Sequence, residues 1–393
     1  MNLNELRNRF VETFGNSHHE INLYFAPGRI NLIGEHIDYN GGFVFPAAIT
    51  LGTYAAVTRR NDGKVWLYSK NFAEAGLLKF DLLDLKRCDN ESWSVYVKGV
   101  IEVFSKAGHD LQQGFNAYVE GTIPNGAGLS SSASLEVLIG VILEDLHDLT
   151  VSGVEKAKLA MQAENAYVGV NCGIMDQFAI AMGRTNQAIK LNTNDLSYEY
   201  APCDLLDYQL LIMNTNKRRE LADSKYNERR TECDVAKLAL GTVVQLEHLC
   251  DLTMAEFNTH AHVLVDEILL KRARHAVTEN IRVKQAVDAL ASGDLAAFGE
   301  LLNQSHDSLR KDYCVTGIEL DTIVALAKKQ PGVLGARMTG AGFGGCAIAL
   351  VHQDKIEAVR AAVALAYAKK IGYEASFYVA QVGDGAKKLV EVL

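Results

Sequence analysis

Residues 124–134 read Pro-Asn-Gly-Ala-Gly-Leu-Ser-Ser-Ser-Ala-Ser, after a strand-like stretch and at the start of an apolar helix. Gly126 and Gly128, flanking Ala127, have no side chains, so the backbone around them and Leu129 can approach an anion closely. Ser130, Ser131 and Ser132 fall where a starting helix has unsatisfied amides and the positive end of its dipole. That combination is a phosphate cradle. A tight turn with an N-capping serine would need only one glycine and one serine. The segment is neither the P-loop pattern nor the dinucleotide fingerprint. It contains no lysine, so helix dipole and metal must neutralise bound phosphates.

Glu164 is a second candidate. In a helix spanning about 153–168 it shares the apolar face of Ala157, Ala160, Met161 and Val168. A carboxylate there is costly unless ion-paired or bound to metal. A serine hydroxyl and one carboxylate suit Mg²⁺ when phosphate oxygens and waters complete the octahedron. Residues 171–177, Asn-Cys-Gly-Ile-Met-Asp-Gln, begin another helix, with Asp176 in its first turn. An acid there can simply compensate the helix dipole. Residues 26–42 pack Glu35, His36, Asp38 and Asn40 into six positions between hydrophobic strands, donors and acceptors that suit a polyhydroxylated ligand. Residues 338–345 hold four glycines in a row of six, Gly-Ala-Gly-Phe-Gly-Gly, which permits close backbone approach to a ligand or a flexible hairpin.

The elements that must position these residues divide into two halves. Residues 3–14 place Leu3, Leu6, Phe10 and Phe14 at helical spacing. Strand-like segments follow, and the pair TYAAVTRR and KVWLYS flanks Asn61-Asp62-Gly63, a hairpin signal. Helices are expected at about 92–107, 130–149, 153–168 and 174–182 around a largely antiparallel sheet. The second half opens on the strand YQLLIMN and continues with charge-rich helices over about 220–330. Two strands, a helix at about 354–370 and a last strand then give the order of a split βαβ sandwich. The expected class is α+β. It combines an N-terminal mixed-sheet domain, 1–202, with a C-terminal ferredoxin-like domain, 203–393, and the active site lies in the cleft between them.

Composition limits the function. The 393 residues suit two or three domains, and 22% charged residues is ordinary for a globular protein. A net charge of −9 argues against a general nucleic-acid or anionic-membrane binder. The longest apolar stretches are too short to span a bilayer, and the N-terminus carries no signal-peptide core. Seven irregularly spaced cysteines are expected to be reduced thiols in a cytoplasmic protein. The runs Lys217-Arg218-Arg219 and Lys271-Arg272-Ala273-Arg274 read as solvated faces, the first a candidate border of a nucleotide cleft.

Together PGRINLIGEHIDYNGG, PNGAGLSSSASLE, CGIMDQ and ARMTGAGFGGC resemble the GHMP kinase superfamily and, within it, the galactokinases, over nearly the whole chain. Ile37 departs from the Thr common at its position. The resemblance implies an ATP-dependent kinase that converts galactose to galactose 1-phosphate, with Asp176 as base and Arg29 as its partner. It implies that Glu35, His36, Ile37, Asp38, Gly173 and Tyr226 hold the sugar. Gly126 to Ser132 would wrap the triphosphate, Ser69 would touch the nucleotide, and Ser132 and Glu164 would hold Mg²⁺. A monomer without protein partner is expected. Two other readings remain: a kinase for N-acetylgalactosamine or a related hexose, and a non-catalytic galactose/ATP sensor on the same fold. The residues leave open whether Asp176 acts as base or electrostatically.

Overall fold

The computed structural model describes residues 1–87, 91–123, 128–217 and 222–390. Helix α1 (Leu3–Phe14) is capped by Asn2, whose side chain accepts from the amides of Asn4 and Glu5, and it buries Leu6 and Phe10. Strand β1 (Asn22–Asn31) runs through a long loop, 32–42, into β2 (Phe43–Val44) and β3 (Pro46–Arg59). Then come β4 (Lys64–Ser69), β5 (Leu78–Asp81), helix α2 (Ser94–Lys106) and β6 (Phe115–Gly121). Helices α3 (Ser131–Leu146), α4 (Gly153–Gln162) and α5 (Met175–Met182) follow, and β7 (Gln187–Asn192) and β8 (Tyr198–Pro202) join β2 in a small sheet.

The second half starts with β9 (Tyr208–Asn214). Five helices come next: α6 (Ala222–Leu240), α7 (Met254–His260), α8 (Glu267–Ala291), α9 (Leu295–Ser308) and α10 (Gly317–Ala327). The chain closes with β10 (Val333–Thr339), β11 (Cys346–His352), α11 (Ile356–Ile371), β12 (Ser376–Ala380) and β13 (Lys387–Leu389). The sheet order β10-β11-β9-β12, antiparallel throughout, is the ferredoxin-like arrangement the split βαβ pattern predicts.

The first sheet differs from expectation at the hairpin. Its order is β13-β1-β3-β6-β4-β5, so β6 lies between β3 and β4, parallel to β4 and antiparallel to β3. The Asn61–Gly63 turn reverses the chain without pairing its flanking strands. Gly114 wedges in at that point: its amide donates to Asp62 O (2.8 Å), and its carbonyl accepts from Arg60 N (2.9 Å). Phe115, Ala117 and Val119 are buried on β6, and covering them outweighs a local hairpin. The end of the second segment also returns to the first. Val382 bridges Ile49, and β13 adds to β1.

One apolar cluster fills the space between the six-stranded sheet and α2–α4. A larger one runs from Ile30, Leu32 and Ile37 through α5 to the four-stranded sheet and α8–α10, so the two halves share a core. Among the described residues no helix is long and apolar enough to cross a membrane. The Lys271–Arg274 run is not wholly solvated. Arg272 is buried, pairing with Glu232 (2.6 Å) and donating to the Asp312 carbonyl. Lys217 pairs with Glu319 (2.9 Å), whereas Arg218 and Arg219 lie outside the described residues.

Candidate active site

A cavity of about 430 Å³ opens between the 32–42 loop, the start of α3, the 169–173 loop, α6 and the 340–341 turn. That volume is within the usual range of small-molecule sites, about 300–1,000 Å³. Arg29, Glu35, His36, Asp38, Gly128, Ser130, Ser131, Ser132, Glu164, Gly173, Asp176 and Tyr226 all line it. The sequence-predicted residues thus converge from positions as far apart as 29 and 226. Three do not line it. Ile37 is fully buried, its side chain packed against Gly42, because an apolar side chain in this loop turns inward; only its backbone serves the loop, accepting from Gly42 N (2.8 Å). Leu129 is likewise in the core, and its carbonyl accepts from Arg29 N (3.3 Å). Ser69 is buried at the end of β4 in register with Val119, on the strand that feeds the phosphate loop. Gly126 and Ala127 lie outside the described residues.

Asp176 is gripped from two sides. Arg29 on β1 donates from Nε to Oδ1 and from Nη2 to Oδ2, both at 2.7 Å, a bidentate pair, while its Nη1 donates to Gly128 O (2.8 Å). Ser130 Oγ donates to Asp176 Oδ2. Oδ2 therefore takes two donors and Oδ1 only one, leaving Oδ1 the freer oxygen. Ser130 is thus engaged by Asp176 through its hydroxyl. It holds φ 61°, left-handed for a non-glycine residue, and makes no capping bond to α3. The first turn of α3 is left uncapped by its side chain, as an anion site requires. Gly28 allows this convergence, since a Cβ there would lie 2.8 Å from Leu129 O.

The side chains of the 32–42 loop differ in how fully the chain already engages them. Glu35 is 2% exposed; Oε2 accepts from Asn31 Nδ2 (3.0 Å) and Arg337, and Oε1 from Gly340 N (2.9 Å) and Thr339 Oγ1 (3.2 Å). His36 faces the Ala341 carbonyl through Nε2 (3.1 Å) and Tyr39 OH through Nδ1 (2.8 Å). A carbonyl only accepts, so the network assigns the proton to Nε2, and Nδ1 accepts from Tyr39. Burial, with His275 and Arg229 nearby, lowers this imidazole to about 3, so it is neutral. Tyr39 OH continues the chain to Tyr313 OH (2.9 Å), which in turn contacts Cys233 Sγ (3.0 Å). Asp38, by contrast, accepts from no other side chain among the described residues. Burial and the charge of Asp176 push it up to about 6. Its carboxylate also explains Gly173, where any Cβ would collide with Asp38 Oδ2.

Glu164 opens a widened π-turn (Ala163–Val168) that replaces the last turn of the expected helix. Its carbonyl accepts from the amides of Gly169 (2.9 Å) and Val170 (3.1 Å), and Asn165 staples the next loop by accepting from Cys172 N (2.9 Å). The Glu164 carboxylate accepts from Gln177 Nε2 (2.6 Å), Cys172 Sγ (3.4 Å) and the Ser132 hydroxyl. Among the described residues no ion pair reaches it. Burial and Asp176 raise Glu164. Burial and Glu164 raise Glu136 on α3 further, and Glu136 Oε1 is buried without a partner.

Glu164 and Glu136 thus lie together near Ser132, with no ion pair to either among the described residues, and hard oxygen donors of this kind fit Mg²⁺. Among the described residues no group of three or more His, Cys, Asp or Glu could hold a metal by itself, so an ion here would need phosphate oxygens and waters as further ligands. Glu136 was not singled out from sequence. The signal was there: it is the one charged residue in the first ten positions of the helix, within the buried run Ala133–Leu143.

The described geometry is that of a small-molecule phosphotransferase. The profile of the GHMP kinases N terminal domain matches residues 95–184, and that of the GHMP kinases C terminal matches 286–369. The mevalonate kinase of Methanococcus jannaschii, 20% identical, shares the fold with a TM-score of 0.65 over 94% of this chain and 100% of that one. Fold and site define a GHMP kinase. Residues 8–59 match the galactokinase galactose-binding signature. The galactokinases of Enterococcus faecalis and Clostridium acetobutylicum are 55% and 52% identical, each covering 98% of this chain and 99% of the relative. The structure of Lactococcus lactis galactokinase complexed with galactose matches with a TM-score of 0.95 at 53% identity, over 98% of this chain and 100% of that one. The chain belongs to the galactokinase family.

Proposed function

We propose that the chain phosphorylates D-galactose at the anomeric C1 hydroxyl, with ATP as donor, giving galactose 1-phosphate and ADP. The observation that carries this reading is the placement of the Arg29–Asp176 pair between a polyol-suited loop and an uncapped helix N-terminus, in one cavity. Asp38, Glu35, His36, Gly173 and Tyr226 are assigned to the sugar. Asp38 is the principal acceptor, because it alone of the acidic pair accepts from no other side chain among the described residues. Gly128 and Ser131–Ser132, with the α3 amides, are assigned to the triphosphate.

In the reaction the C1 oxygen bonds to the γ-phosphorus as the bond from that phosphorus to the β–γ bridging oxygen breaks. The hydroxyl proton passes to Asp176 Oδ1, the freer oxygen. Arg29 holds Asp176 in plane and places a cation beside the developing charge. Phosphoryl transfer depends chiefly on positioning and charge stabilisation, so a sparse set of side chains suffices. Ser132 and Glu164 would hold Mg²⁺. When bound, that ion neutralises phosphate charge.

ADP release across a panel of hexoses with ATP and Mg²⁺ tests the reading. Galactose is expected to be the best substrate. Equal turnover of glucose and galactose would reduce the assignment to a generic hexose kinase, preference for N-acetylgalactosamine would redirect it, and galactose binding without ADP release would make the chain a sensor.

A further inference from the structure

We infer that Arg337 and Thr339, at the end of β10, are positioning residues for the sugar loop, acting through Glu35. The inference rests on the assignment of that loop to the sugar. Arg337 is fully buried, and its Nη1 donates to the carbonyls of Asn31 (3.1 Å) and Leu32 (3.0 Å) while Nη2 pairs with Glu35. Thr339 Oγ1 accepts from Asn31 N (3.2 Å) and lies within donating distance of both Asn31 O (3.1 Å) and Glu35 Oε1 (3.2 Å). The next two residues complete the clamp, Gly340 N on Glu35 and Ala341 O on His36.

The 338–345 turn, which as a sequence offered a ligand cradle or a flexible hairpin, is thus a template pressed against the 31–36 backbone. His36 sits at φ 62°, a conformation a non-glycine residue adopts only when its surroundings impose it. Arg337 is poorly suited to a purely stabilising role. Its Nε is buried without a partner, and a buried ion pair is commonly no better for stability than well-packed apolar residues. What its fork fixes is geometry: two successive carbonyls and one carboxylate, set together from a strand about 300 residues away in sequence. The same turn touches the phosphate side, where a Cβ on Gly340 would lie 3.1 Å from Gly128 O.

The test is steady-state kinetics of the whole enzyme with each substrate varied in turn, beside a melting curve for every variant. Thr339→Val keeps the volume and removes the hydroxyl, and Thr339→Ser does the reverse. Thr339→Val is expected to raise KM for galactose about three- to tenfold, the worth of one hydrogen bond, with KM for MgATP and kcat within about twofold. Thr339→Ser is expected to behave as wild type. Arg337→Lys, which keeps the charge and loses the fork, is expected to raise the galactose KM about tenfold or more. Should it fail to fold, the Thr339 pair decides alone. A defect in Thr339→Ser with none in Thr339→Val would mean packing only and overturn the inference, as would an equal rise in both KM values. Wild-type enzyme that binds no galactose overturns the functional reading and this inference with it. Wild-type enzyme that binds galactose while Thr339→Val is unchanged overturns the inference alone.

Discussion

Asp176 and Asp38 are carboxylates facing one cavity, and their neighbours give them different work. Asp176 is held by three donors from Arg29 and Ser130, which fix its plane and leave Oδ1, with one donor, the freer oxygen. Asp176→Asn retains the shape and loses the acceptor charge. It should lower kcat by about 100-fold or more while calorimetry still detects galactose binding. Near-wild-type turnover would remove Asp176 from the mechanism. Asp38 accepts only from backbone amides among the described residues, and burial beside Asp176 raises it to about 6. Its ionised form is the one that accepts from a sugar hydroxyl, so galactose affinity should be full above pH 6 and fall as pH drops through that value. In Asp38→Asn the KM for galactose should be higher throughout and flat across this range. A retained inflection near pH 6 in that variant would assign the titration to another group.

At the scale of elements, two helices end in widened turns, and both present side chains of the site network: Glu164 from Ala163–Val168 and Tyr313 from Leu309–Tyr313. The extra residue per turn shifts the helix face that follows, so the regular 153–168 pattern does not continue to its expected end. Glu164 itself is placed as its periodicity predicts, but with Gln177, Cys172 and Ser132 around it rather than a cation. Glu164→Gln should therefore raise the Mg²⁺ concentration needed for half-maximal activity severalfold. It should leave the melting temperature unchanged or raise it, because it removes repulsion with Glu136. A lower melting temperature with an unchanged Mg²⁺ requirement would identify Glu164 as structural.

Across the whole molecule, α8 does much to hold the two halves in register. His275 Nε2 donates to Glu35 O (3.0 Å), Asn280 Oδ1 accepts from Phe43 N (2.9 Å), and Glu279 accepts from Gly34 N (3.1 Å) and Ser305 (2.5 Å). Burial opposes the Glu279 charge, but Arg282, His275 and Arg337 outweigh it and hold the carboxyl at about 2, below its ordinary 4.5. A depressed carboxyl stabilises the fold above pH 4.5, and that contribution is lost as pH falls towards 2. Glu279→Gln should lower unfolding free energy by on the order of 3 kcal/mol at pH 7. In urea titrations the gap between the two proteins should narrow at pH 4. A gap independent of pH would show that the charge is not what Glu279 contributes.

The sequence by itself carried the order of elements, the α+β class and nearly all the cavity-lining side chains it was asked for. These signals are local: periodicity within one helix, a glycine before a helix start, carboxylates within four residues of one another. Glu136 was equally local and could have been found by the argument applied to Glu164. What only the tertiary structure decided is pairing across the chain. Residues 61–63 could mark a hairpin, and nothing nearby foretells that β6 enters between the flanking strands. Arg272 sits in a run of basic residues, and its burial depends on Glu232, 40 positions away. The engagement of Glu35 by Arg337, 302 positions on, and the fit of Gly173 against Asp38 are likewise invisible in either segment alone. Local propensity and pattern reach only as far as the next turn or strand, whereas strand order, buried charge pairs and the shape of a shared cavity are set by which distant surfaces exclude water together.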